Sequence, residues 1–70
     1  MEGAELKSIR LKLGLSAEGF ARLVGAADGA HVRKWERTAV PPPVAVLAKA
    51  LRDSDAVRSY FGVTLAVTSE

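Results

Sequence analysis

A chain of 70 residues, 49% hydrophobic and 26% charged, is long enough for one compact domain and too apolar to be a disordered tail. With no cysteine and a single histidine, His31, it excludes disulfides and a Cys/His zinc site. A net charge of +2 permits an anionic partner without demanding one. No apolar run reaches the length of a membrane span, and the acidic start, Met1 to Glu5, lacks a signal-peptide core, so the expected location is cytoplasmic. Domains this small bury only about 60% of their unfolded surface, so helix packing and self-association are the expected sources of stability.

The first predicted helix covers about residues 4–13, with Leu6, Ile9 and Leu13 at helical spacing and Lys7, Arg10 and Lys12 turned elsewhere. Gly14 stands where a left-handed helix end favours glycine. Ser16 is a good N-cap for a second helix to about Val24, whose inner face is expected to be Phe20, Ala21, Leu23 and Val24, with Glu18 and Arg22 outside. Gly19, inside that helix at a cost of about 1 kcal/mol against alanine, suggests close approach of another helix or of a nucleic-acid backbone. Gly25 ends the helix, Ala26 and Ala27 form a short turn, and Asp28 caps a third helix over about residues 29–37.

Only Val32 and Trp35 are strongly apolar in that third helix. His31, Arg33, Lys34 and Arg37 make the rest polar and mostly basic. The proline run 41–43 suits a helix's first turn, so a fourth helix is expected from Pro42 or Pro43 to about Arg52, burying Val44, Leu47, Ala48 and Leu51. A short fifth helix, about 54–61, is expected to bury Val57 and either Tyr60 or Phe61 before Gly62 stops it. Residues 1–62 then form an all-α domain of four to five helices, with residues 63–70 as a tail available to a dimer interface.

Two short helices joined by a glycine-containing turn, the second anchored shallowly and rich in cations, have the pattern of a helix-turn-helix. The first helix of such a pair lies across the DNA backbone and sets the second into the major groove, which is wide enough for one α-helix. The stretch Leu15 to Glu36, LSAEGFARLVGAADGAHVRKWE, followed by RTAVPPP, resembles the Cro/repressor-like (XRE-type) helix-turn-helix regulators. Leu15-Ser16, Ala21, Gly25, Val32, Trp35-Glu36 and Pro41 carry the resemblance, which spans about residues 6–51. It implies a lambda-repressor-like domain, double-stranded DNA as partner and a charged pair between Arg10 and Glu36. A glutamate beside a buried tryptophan needs such a cation. The connection from Gly25 to Val32 is one residue longer than the common family spacing, and Ala17 stands where the family often has glutamine.

The expected DNA-facing set is therefore Ser16, Ala17, Asp28, Gly29, Ala30, His31, Arg33, Lys34, Arg37 and Thr38. Arg33 and Lys34 suit guanine edges and Arg37 a phosphate. Backbone N–H groups at the start of the second helix suit a phosphate near Ser16 and Ala17, as do loop amides at Thr38 and Ala39. Gly29 and Ala30 either let the helix approach the duplex or merely loosen the turn, and His31 either touches DNA or serves structure. Lys49, Arg52 and Arg58 read as solvated. The proline run reads as a stiff helix start rather than a ligand for a proline-binding domain.

No nucleophile–base pair, metal cluster or phosphate-cradling glycine loop is present in the sequence, so neither an enzyme nor a cofactor, metal or small-molecule ligand is expected. A homodimer on an inverted-repeat operator is expected, joined through Val57, Tyr60, Phe61, Val63, Leu65 and Val67. The other reading is a helical interaction module whose basic helix meets an acidic protein, as an antitoxin or assembly partner would.

Overall fold

The computed structural model describes residues 1–65. Its helices follow in order: α1 Gly3–Lys12, α2 Ala17–Val24, α3 Gly29–Arg37, α4 Pro42–Asp53 and α5 Asp55–Phe61. The described chain is all-α, and none of its helices is long and apolar enough to cross a membrane. Leu6, Ile9, Leu13, Phe20, Ala21, Val32, Ala48 and Leu51 meet in one core. Val67 lies outside the described residues.

The helix ends follow local chemistry. Ser16 Oγ accepts from the Gly19 N–H at 3.0 Å, and Gly25 (φ 80°) terminates α2 in the left-handed region. The N–H groups of Gly25 and Ala26 both donate to the Ala21 carbonyl. α1 starts one residue earlier than its apolar spacing suggests, because Gly3 packs against the end of α3. A Cβ there would overlap the backbone carbonyls of Trp35 and Glu36, so only glycine lets the two helices meet. Val40, buried and unforeseen, donates its N–H to the Met1 carbonyl beside an isolated Glu2–Ala39 bridge. That contact ties the loop before the prolines to the chain start.

Three packing expectations are corrected. In α2, Leu23 and Val24 are only half-buried. The inner stripe of α4 is Ala45, Ala48 and Leu51, while Val44 and Leu47 flank it half-buried; small alanines let α4 lie close to α1. In α5 no side chain is fully buried: Val57 is half-buried, Tyr60 is 84% exposed and Phe61 38%. The two rings stack edge to face, centroids 5.1 Å apart, on the outside. Val63 instead reaches the core, its N–H donating to the Arg58 carbonyl.

Arg58 is not a solvated side chain either. It donates to the carbonyls of Leu51 and Arg52 at 2.8 and 2.7 Å, closing the end of α4 and fastening α5 to it. Arg52 is half-buried and pairs with Asp53 and Glu5.

Candidate nucleic-acid interface

The two faces of α3 differ sharply in chemistry. Gly29 and Val32 are buried and Trp35 and Glu36 half-buried, whereas Ala30, His31, Arg33, Lys34, Arg37 and Thr38 are exposed. Ala30, Lys34 and Arg37 recur at i, i+4 and i+7, so they share the outermost stripe. His31 lies on one flank of that stripe and Arg33 on the other.

Glu36 holds α3 to α1. Arg10 Nε donates to Glu36 Oε2 at 2.7 Å and its second guanidinium nitrogen to Oε1 at 3.3 Å. Arg10 also donates to the Leu15 carbonyl at 3.0 Å, tying down the loop ahead of α2. The pair's side chains are 12% and 8% exposed, so one fork of hydrogen bonds joins α1, the loop and α3.

Both helix N-termini in this region carry an internal carboxylate. Asp28 accepts from the N–H groups of Ala30 and His31 and contacts the His31 ring at 3.1 Å. The His31 ring first, then those N–H groups, hold its carboxyl below the ordinary aspartate value. Asp28 therefore caps α3 and confronts an approaching phosphate with negative charge. Glu18 places a second negative charge at the start of α2, where Ser16 is the cap: its own backbone N–H and then Arg33 lower its carboxyl. Arg33 donates to Glu18 Oε2 at 3.1 Å, with both side chains about half exposed.

These contacts redistribute the expected DNA-facing set. Gly29 faces inward, not toward a duplex: a Cβ on it would lie 2.5 Å from Glu18 Oε2, so its bare Cα makes room for the Glu18 carboxylate. The Ala17 side chain is buried, so the expectation there rests on its backbone N–H alone, and the Ser16 hydroxyl is occupied as the α2 cap. Thr38 uses both donors on its own helix, the hydroxyl to the Lys34 carbonyl at 2.8 Å and the N–H to Lys34 and Trp35. It closes α3 instead of presenting an amide to phosphate. Of the two partners expected for Gly19, a second helix does not approach it. The nearest atoms to a Cβ there are Ser16 Oγ and Leu15, with no second helix close. The exposed stripe that remains is Ala30, His31, Lys34 and Arg37, with Arg33 held at its edge by Glu18.

Arg10, Arg33, Arg52 and Arg58 each have a carboxylate partner. Among the described residues Lys7, Lys12, Arg22, Lys34, Arg37 and Lys49 have none. Two of those free cations, Lys34 and Arg37, sit on the outer stripe of α3. Sequence reading missed Glu18, whose role depends on how α2 crosses α3, and it missed Lys7, which faces α3 across a groove. No group of His, Asp and Glu side chains suited to a metal occurs among the described residues. Comparison with protein-family models, curated proteins and solved structures finds no match to this chain.

Proposed function

We propose that the protein is a sequence-specific, double-stranded-DNA-binding regulator, a repressor or autoregulator of the Cro/repressor-like kind, and not an enzyme. The observation that carries the reading is the exposed stripe of α3, where Lys34 and Arg37 have no acidic partner among the described residues, on a helix anchored from within by Val32 and Trp35. α2 packs against α3 and Gly25 makes the turn, an arrangement suited to setting one helix into a major groove. Lys34 is central in the stripe and suits a guanine edge; Arg37, a turn later, suits a phosphate. Ala30 leaves space for the duplex to come close.

One such domain reads only a short half-site, so the working unit is a homodimer on an inverted repeat. Exposed Tyr60, Phe61 and Leu65 supply an apolar surface for it at the α5 end. Selection from random oligonucleotides tests the reading. Enrichment of an inverted repeat, with Lys34→Ala weakening binding by about 1–3 kcal/mol at one base position, is the expected result. Recovery of unselected sequence, with Lys34→Ala inert, would refute it.

A further inference from the structure

The α3 stripe is bordered by a second cationic feature. An open groove of about 290 Å³ runs between α1 and α3, lined by Lys7 and Arg10 on one wall and Arg33, Glu36 and Arg37 on the other. Arg10 and Glu36 offset each other, and Arg10 directs its donors to Glu36 and Leu15. What remains in the lining is Lys7, Arg33 and Arg37. Lys7 and Arg37 have no carboxylate within reach among the described residues, and Arg33 meets Glu18 through one terminal nitrogen, leaving its other donors open.

We infer that this groove is a phosphate-binding site, with Lys7 from α1 and Arg37 from α3 gripping one phosphate and Arg33 assisting from the upper turn. Three cations facing one opening from two helices cost repulsion that an anion relieves. Guanidinium groups one turn apart match the oxygens of a phosphate, and a lysine opposite them supplies a point charge. The groove is continuous with the Lys34 stripe through Arg33 and Arg37. A helix in a major groove has a phosphate chain along each side, so the α1 side of α3 would meet one strand. This inference rests on the DNA-binding reading for its source of phosphate; a free phosphorylated ligand has the same chemistry.

The test uses the whole chain, isotopically labelled, with Lys7→Ala and Lys49→Ala variants; Lys49 lies on α4, outside the groove. Against a duplex, Lys7→Ala is expected to lower affinity about three- to tenfold regardless of base sequence. It should also reduce the slope of log affinity against log salt by about 0.9. Lys49→Ala should change neither. In a separate titration, sodium pyrophosphate should shift the side-chain nitrogen signals of Lys7, Arg33 and Arg37.

If the wild-type chain binds DNA and Lys7→Ala leaves affinity and slope unchanged, the groove assignment falls and the DNA reading stands. If the wild-type chain binds no DNA yet pyrophosphate shifts those three side chains, the DNA reading falls and the groove is a site for a free phosphorylated ligand. No pyrophosphate response in a chain that binds no DNA overturns both. Polyglutamate moving the same signals as strongly as pyrophosphate overturns the phosphate assignment in favour of an acidic protein.

Discussion

Replacing Glu36 with alanine removes one side of the Arg10–Glu36 fork and leaves the Arg10 guanidinium 12% exposed, facing α3 with no anion. Breaking a fully buried pair this way costs about 3–5 kcal/mol; water at the edge of the α1–α3 groove lowers the figure here to about 2–3 kcal/mol. A 70-residue chain has a total stability of about 4–10 kcal/mol, so the change removes about a fifth of it or more. For a domain of this size the midpoint should fall by about 10–20 °C, measured by circular dichroism at 222 nm, a helix band. The double variant Arg10→Met, Glu36→Leu should recover most of the loss, because two apolar side chains need no pairing. A fall of less than about 3 °C for Glu36→Ala, or a double variant no better than the single, would refute the claim that this pair holds α3 against α1.

Other expectations follow from the same contacts. Glu18→Gln removes the anion on Arg33 and at the start of α2, so affinity for DNA of arbitrary sequence should rise and the ratio of specific to non-specific binding should narrow in fluorescence anisotropy. Gly29→Ala should resemble it, since the added methyl displaces the Glu18 carboxylate, and should also lower the melting point. Glu18 and Asp28 have carboxyls held below their ordinary values of 4.5 and 3.8 in the folded state. The stability they add is therefore fully present above those values and lost as pH falls through the lowered ones. Urea midpoints between about pH 7 and about pH 3 should decline, and Asp28→Asn should flatten that decline. Phe20→Ala, deleting the largest fully buried side chain, should cost about 3–5 kcal/mol in the same denaturation.

Much of the frame was legible in the residues themselves. Ser16 and Asp28 as caps, Gly25 and Gly62 as left-handed ends, and Pro42 in a first turn are local preferences of single residues, and each sits where that preference puts it. The α1 face Leu6, Ile9, Leu13 is a clean helical repeat, and it is core. In α4, Ala48 and Leu51 are core as their spacing suggests, but alanine carries a weak hydropathy signal, and the larger Val44 and Leu47 drew the stripe away from Ala45. α5 misled for a different reason. At seven residues it is too short to establish a phase, and Arg58, not an aromatic ring, fastens it.

The site was legible only in part. Which residues of α3 are cationic needs no coordinates, and their exposure follows from the Val32–Trp35 spacing. Apart from the Arg10–Glu36 pair, which the family resemblance implies, the contacts set by crossing geometry escaped. Gly29 reads as turn freedom until Glu18 is seen above it, and Gly3 reads as a loose end until the carbonyls of α3 are seen against it. The pairing of Arg33 with Glu18, across 15 positions and two helices, has no periodic signature. Lys7 looked like an ordinary solvated lysine because its significance comes from Arg37 on the opposite wall.

On the proposed reading, the outer stripe of α3 enters a duplex groove. The most direct measurement is a titration of the labelled protein with a selected duplex, followed residue by residue by nuclear magnetic resonance. The largest shifts are expected on Ala30, His31, Arg33, Lys34 and Arg37, with Val46 and Lys49 on α4 unmoved. Shifts concentrated on α4 and α5, with the α3 signals unchanged at saturation, would contradict it.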